Sequence, residues 1–486
     1  MSRRILTMLA VAVLAFAPSS IATASSTAVT DPQAATSPIS LAAASPSGAT
    51  VEARIEKIRR SQGGSRVAGF AAGTFAGKNV IIIQVESLNA MLLGKKYEGH
   101  EITPNINNLI KESWYWPNAY SETGMGNTVD AEFITNTSLY APKGQATAVK
   151  YANRRLPAMP VVMKGLGYSS FTMHTNDVMY WNRRQLYQAL GFTRWYDRAA
   201  FKGIPIFGGF GASDVELFKL GAKVLRGFEA SGTPVYSQFI TVSAHPPFIG
   251  APESMRPMKT PKDLSGSLVG KYMSAESYTD MAIGKFVADL KTTGLWDNSI
   301  IVIYGDHTFV GSSTLTGKNA AGAKRLLGRN YGPIDRQRVG LIIHVPGETT
   351  PVVRTDVAGQ VDIMPTVADM VGADLTKVPH MGRSLFVSSS PLVPLMAYYK
   401  PGSFLNYRVL FMPKTASSPT AAYRVPNGAH TGVSATDKAD LGRSNALRPI
   451  SDSWVMSLPT FNAGPKGWIP DRAARLAAKA YGFKQH

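Results

Sequence analysis

The chain has 486 residues, 44% of them apolar, and a formal charge of +19. That size suits one large α/β domain with a small appendage, and the charge calls for an anionic partner: nucleic acid, an acidic lipid surface or a cell-wall polyphosphate. Cysteine is absent, which excludes a disulfide framework.

Residues 1–24 read as a secretory signal. Arg3 and Arg4 give the positive start, 5–17 is a mostly apolar run, and Ala22-Thr23-Ala24 offers small residues for cleavage. The run falls short of the ~20 residues that cross a bilayer, and no later segment reaches that length. The expectation is a secreted or cell-envelope protein, soluble after signal cleavage. Export removes nucleic acid from the candidate partners and favours anionic lipid headgroups or wall polymers. Residues 25–50 are almost wholly Ala, Ser, Thr and Pro, the composition of a linker. A lead-in over 51–78 follows, with a short basic helix over 52–60 and a glycine-rich stretch over 63–77.

Residues 80–85 are a continuous apolar and β-branched run, suited to a parallel strand buried on both faces. Thr103-Pro104 reads as a helix start, Thr at the cap and Pro at the first helical position. Further strands are predicted over 168–173, 235–242, 300–304 and 339–345, with helices over 214–229, 276–290 and 362–370. Such alternation implies an α/β fold with a mostly parallel central sheet. Over 392–425 the pattern turns to short strands, an antiparallel subdomain, and from 426 the tail reads as irregular.

In open α/β sheets, ligands bind beyond the carboxyl ends of the strands. Glu86, His174, His245 and Asp306-His307 all fall at or just after predicted strand ends. Glu86, Asp306 and His307 make a mixed carboxylate and imidazole set for a divalent ion that lacks one oxygen ligand. The turn Thr123-Gly124-Met125-Gly126-Asn127-Thr128 precedes a helix predicted over 129–135 and can supply it. A hydroxyl at a helix N-terminus, bound to a metal, becomes a nucleophile toward a phosphate.

These residues resemble a known family. Val85-Glu86-Ser87-Leu88, Thr103-Pro104, Thr123-Gly124 through Asn127-Thr128 and Asp130-Ala131-Glu132-Phe133 match in order. So do Ser138-Leu139-Tyr140, His174, Trp181-Asn182-Arg183, Phe239-Ile240-Thr241 with His245, Tyr304-Gly305-Asp306-His307 and Asp362-Ile363-Met364-Pro365-Thr366. Over about 79–383 the sequence is similar to the extracellular catalytic domain of lipoteichoic acid synthase and related phosphoglycerol transferases of the sulfatase superfamily. That resemblance implies an alkaline phosphatase-like three-layer sandwich, with a catalytic domain over 79–390 and a C-terminal subdomain and tail over 391–486. It implies that Thr128 is the nucleophile, and that Glu86, Thr128, Asp306 and His307 hold one divalent ion, manganese before magnesium. His174, Trp181, Arg183 and His245 would contact the glycerophosphate. Taken on their own chemistry, Arg183 can fork onto phosphate oxygens, while His174 or His245 can bond a glycerol hydroxyl or move a proton. The implied donor is phosphatidylglycerol or another phosphoglycerol compound, the acceptor a wall polymer, glycolipid or glycan. Hydrolysis of such compounds and non-catalytic binding of wall polymer are the alternatives.

Three features depart from the family's pattern. Asn127 stands where the family has a basic residue before the nucleophile. Residues 308–317 lack the His-Asn pair that follows the Asp-His match. The membrane helices of the synthases have no counterpart in this sequence.

Overall fold

A computed structural model of the chain describes residues 46–61, 71–387, 391–425 and 427–461. The stretch read as a signal, most of that read as a linker, residues 62–70 of the lead-in and residues 462–486 lie outside these. The helix expected over 52–60 is longer, α1 (Pro46–Ser61), and begins inside the stretch read as linker.

The first strand, β1 (Asn79–Val85), is buried at every residue. Its alternate side chains enter two different cores. Val80 and Ile82 join one apolar cluster, while Ile81, Ile83 and Val85 join another on the opposite face. Both faces of this strand meet a core, so its apolar residues need not alternate with polar ones, and buried Gln84 is accommodated by hydrogen bonds. Each such side chain contributes about 1.5–3 kcal/mol on leaving water.

Around β1 the central sheet adds β2 (Trp114–Trp116), β3 (Ser169–His174), β4 (Arg194–Tyr196), β5 (Val235–Ile240), β6 (Ser299–Gly305), β7 (Leu341–His344) and β8 (Val352–Val353). Among the described residues the order is β8-β2-β7-β6-β1-β5-β3-β4. Strands β6, β1, β5, β3 and β4 run parallel, with Ile82 opposite Val302 on one side and Gln238 on the other. Strand β7 is antiparallel to both β6 and β2. The three-residue β2 and β4 were not anticipated, because so short a run carries no readable period.

Helices cover both faces. The second core receives α5 (Asp214–Ala230) and α6 (Leu268–Thr292) through residues such as Leu217 and Phe286. The first receives α3 (Thr128–Thr137) and α7 (Ile363–Val371). Helix α6 begins earlier than its apolar pattern suggested, where Ser267 Oγ accepts from Gly270 N at 3.0 Å. Helix α2 (Pro104–Ile110) starts at the expected proline, but Thr103 gives it no side-chain cap. Asp280 of α6 caps it instead, accepting from Asn105 N at 3.1 Å and Ile106 N at 2.8 Å.

The C-terminal strands β9 (Val393–Pro394), β10 (Phe404–Leu405), β11 (Val409–Met412), β12 (Ala421–Arg424) and β13 (His430–Thr431) form a separate antiparallel sheet, as expected. The tail differs from the irregular reading. It contains α8 (Ala435–Ser457), opened by a reciprocal cap between Ser434 and Asp437. Pro449 inside the helix and its weak apolar pattern concealed it. Helix α8 packs against α1, and both feed the first core. No helix among the described residues is long and apolar enough to cross a membrane.

Candidate active site

Because β1, β3, β5 and β6 are parallel, their carboxyl ends open on one edge of the sheet, and the polar residues named from sequence gather there. Glu86 follows β1, His174 ends β3, and Asp306-His307 follow β6. Ligand atoms of Glu86, Asp306 and His307 all lie within 4.8 Å of one another. His307 Nε2 is 3.1 Å from Glu86 Oε1 and 3.5 Å from Asp306 Oδ1. Its other nitrogen, Nδ1, is 3.1 Å from Thr308 O and donates there, which leaves the Nε2 lone pair for the cluster in the neutral ring.

Hydrogen bonds fix the strand ends that carry this cluster. Glu86 N donates to Thr241 Oγ1 at 2.8 Å, and Ser87 N to Asp306 Oδ1 at 2.8 Å. Gln360 Nε2 grips the strand end, donating to Gly305 O at 3.0 Å and Asp306 O at 2.5 Å. Asp306 Oδ2 is buried with no hydrogen-bond partner among the described residues.

The charge balance explains what the cluster wants. Burial and the neighbouring Glu86 push Asp306 up to about 8. Burial alone would lower His307, but Asp306 and Glu86 outweigh it and raise the ring to about 10. Burial also opposes ionisation of Glu86, yet His307 beside it holds that carboxyl well below the usual range. Two buried carboxylates thus share one excess of negative charge that only protons or a cation can balance. The orphaned Asp306 oxygen and the mixed oxygen and nitrogen donors fit a divalent ion.

Thr128 opens α3, and its Oγ1 donates to Glu86 Oε2 at 3.2 Å. Helix α3 is rich in β-branched residues, poor helix formers, so its surroundings must hold it. Beneath it, Gln84 Nε2 donates to Thr128 O at 2.9 Å, and Gln84 is tied in turn to Tyr304 and Gln238. In front of it, Asp130 closes the turn by accepting from Gly124 N at 3.0 Å, Gly126 N at 2.9 Å and Thr147 N at 2.8 Å. A Cβ on Gly126 would stand 2.3 Å from Asp130 Oδ1, so that glycine is required. Asn127 sits at φ 46°, ψ −110°, a strained position for a residue with a side chain.

The expected phosphate-contacting residues occupy the same edge. His174 is buried, its Nδ1 3.0 Å from Ile240 O, and burial with the charge of Arg183 pulls it down to about 3. It is therefore a neutral ring. His245 is half-buried, with its ring 4.1 Å from that of Phe210. Arg183 is 2% exposed, and its Nε donates to Glu132 Oε1 at 2.8 Å. That bond takes one edge of the guanidinium out of play for phosphate and leaves the Nη atoms, of which Nη1 is buried without a partner. Trp181 is 36% exposed, so it is a rim residue and not a core aromatic.

Three residues had no assigned role from sequence alone. Glu132 and Asp130 lay inside a matched motif, but only the fold shows them gripping Arg183 and the glycine turn. Glu276 on α6 is the third. It is buried, its Oε1 unpartnered, and burial together with Glu86, Asp214 and Asp306 pushes it well above the usual carboxylate range. Its only sequence signal was its place at the start of the predicted helix over 276–290, whereas it lies well inside α6.

A parallel sheet carrying a clustered carboxylate-imidazole site and a helix-terminal hydroxyl at its carboxyl edge defines the alkaline phosphatase-like class of α/β enzymes. A sulfatase family model matches residues 78–373. Lipoteichoic acid synthase 2 of Bacillus subtilis (strain 168) is 33% identical over 377 residues, covering 76% of this chain and 55% of that protein. Lipoteichoic acid synthase of Staphylococcus aureus (strain NCTC 8325 / PS 47) is 33% identical over 323 residues, covering 64% and 47%. The crystal structure of the lipoteichoic acid synthase LtaP from Listeria monocytogenes superposes with a TM-score of 0.76 at 30% identity, covering 84% of this chain and 100% of that one. A protein in the alkaline phosphatase superfamily from Vibrio parahaemolyticus shares the fold, with a TM-score of 0.66 at 19% identity, covering 85% and 98%. The chain belongs to the sulfatase family, in its lipoteichoic acid synthase group. It spans about half the length of the curated relatives it matches.

Proposed function

We propose that this protein is an exported phosphoglycerol transferase with Thr128 as its nucleophile. In this reading 1–24 is the signal, 79–390 the catalytic domain and 391–486 the C-terminal subdomain and tail. The observation that carries it is the Thr128 hydroxyl, at the N-terminus of α3 and 3.2 Å from a carboxylate of the clustered ligand set. A divalent ion, manganese before magnesium, held by Glu86, Asp306, His307 and Thr128, would draw charge from the phosphoryl oxygens and lower the proton affinity of the hydroxyl.

The chain's own groups do the rest. Thr128 Oγ bonds to the phosphorus of phosphatidylglycerol as the bond from phosphorus to the diacylglycerol oxygen breaks. Thr128 loses a proton and the departing oxygen gains one, leaving glycerophosphate on the threonine. A hydroxyl of a wall polymer, glycolipid or glycan then bonds to phosphorus, the bond to Thr128 breaks, and the acceptor's proton restores the threonine. Arg183 Nη atoms and the helix terminus stabilise the phosphoryl charge. Neutral His174 bonds a glycerol hydroxyl, Trp181 packs on the glycerol carbons, and half-exposed His245 moves the proton.

Intact mass after incubation with manganese and phosphatidylglycerol vesicles tests this, beside Thr128→Ala. A glycerophosphoryl adduct on the wild type alone, with diacylglycerol released, is the expected result. Steady release of free glycerol phosphate would make the enzyme a phosphodiesterase. No adduct and no release, with the ion bound, would sink the lipid donor.

A further inference from the structure

The loops at the carboxyl edge of the sheet carry an apolar rim. Met125 is 53% exposed, Met179 57%, Tyr180 53%, Ile206 48% and Ile249 50%, with Trp181 beside them. They come from the turn before α3 and the loops after β3, β4 and β5. Those segments also deliver Thr128, Arg183 and His245. Six of the fourteen exposed large apolar side chains among the described residues stand on these segments.

Contacts join the segments into one surface. Asn182 Nδ2 donates to Ala148 O at 2.9 Å, while Gly126 lies so near Ala146 that a Cβ there would come within 2.9 Å. The Met125 turn and the Tyr180-Trp181 loop therefore lean on the same short helix, α4 (Thr147–Lys150), and its cap residue Ala146. Arg198 links the next pair, donating to Asn176 Oδ1 at 3.0 Å and Phe210 O at 3.5 Å. A Cβ on Gly208 would sit 3.2 Å from Ile249.

Water disfavours such a patch, and so does the backbone that presents it. Trp181 at φ 57° and Asn182 at φ 54° are consecutive left-handed residues with side chains, and they hold Tyr180 and Trp181 outward, rings 5.9 Å apart. Strain of this kind persists where a function needs it. Tyr and Trp favour the boundary between lipid and water. Lys143, next to the Met125 turn, and Lys202, before Ile206, are exposed, and the whole chain carries +19. That charge complements an anionic leaflet.

We propose that this rim seats the protein on an anionic lipid bilayer, its apolar side chains in the headgroup boundary and the site's mouth level with the lipid phosphates. The inference rests on the reading of a phosphoglycerol lipid as donor. It goes beyond attraction by net charge, because it assigns binding to particular uncharged side chains.

The test compares the wild type with Met179→Ser/Tyr180→Ser/Ile206→Ser/Ile249→Ser, which spares every proposed catalytic and binding residue. Both are sedimented with phosphatidylglycerol vesicles and with neutral phosphatidylcholine vesicles, at low and high salt. The variant should partition to anionic vesicles at least about tenfold more weakly, and the wild type should keep part of its binding at high salt, as buried apolar area requires. Turnover of vesicle-borne donor should fall in parallel, while turnover of a short-chain phosphatidylglycerol dissolved as monomer stays at wild-type level. Equal binding by the two proteins, or wild-type binding abolished entirely by salt, would overturn the proposal. Failure of the wild type to turn over the monomeric donor would instead overturn the donor assignment, and the vesicle partition would still decide on the rim.

Discussion

Arg183 donates from Nε to Glu132 Oε1 across 2.8 Å, and both side chains are almost wholly removed from water. Tyr187 Oη donates to the other Glu132 oxygen at 2.8 Å. One carboxylate thus fixes the cation that is proposed to face the phosphate. Glu132→Gln leaves the guanidinium buried without its counter-charge, a change that costs on the order of 3–5 kcal/mol. Denaturant unfolding should show the midpoint falling with an unchanged slope, and KM for the phosphoglycerol donor should rise in whatever protein remains folded.

Gly126 has no room for a methyl group, since Asp130 Oδ1 would lie 2.3 Å away. Gly126→Ala should destabilise by about 1–3 kcal/mol through overpacking. Its larger effect should fall on kcat, because Asp130 would have to release the turn that leads into Thr128. Calorimetry beside steady-state kinetics checks this, and a loss of stability without a loss of turnover would contradict it.

Adding manganese to metal-free protein should raise Tm in a concentration-dependent way. The gain is about 2.7 kcal/mol of stability when the ion stands at a hundred times its Kd. Glu86→Gln and Asp306→Asn should each abolish most of that rise. Thr128→Ala should keep more of it, since three ligands remain. A thermal scan against manganese concentration, with chelator as the control, reads all three.

His174 makes a prediction about acid. Its folded value is about 3, held there by burial and by Arg183, against an ordinary 6.5. The unfolded chain therefore takes up a proton in a range where the folded chain refuses it. The stabilising difference is fully present above about pH 6.5 and is lost progressively as pH falls toward 3. His174→Gln should flatten the dependence of unfolding free energy on pH within that window. A slope unchanged from the wild type would show that the ring does not carry it.

Much of the fold was legible because the inner strands β1 and β6, buried on both faces, carry long runs of Val and Ile, and the helices between strands kept a clear stripe. Glu86, His174, His245 and Asp306-His307 could be placed at one edge because each ends or follows a predicted strand. What stayed hidden depends on long-range contact. Nothing local in Glu132 says that it will meet Arg183, and nothing in Asp280 says that it will cap α2. Asp130 sits four residues beyond the glycine it constrains, yet only the closed turn shows the carboxylate against the backbone. Helix α8 carried a readable start at Ser434 and Asp437, but Pro449 and its polar sequence outweighed that signal.

The pairing of α1 with α8 has a consequence for how the protein is made. Synthesis releases the chain from its amino end, so α1 emerges early and then has no mate until nearly every other element has been produced. Ile55 on α1 and Trp454 on α8 are both buried in the same core. Until that late meeting, the amino-terminal helix exposes an oily stripe to whatever holds the unfinished polypeptide. Interruption of synthesis before α8 should leave a product open at this seam and prone to capture by proteases or by its own kind.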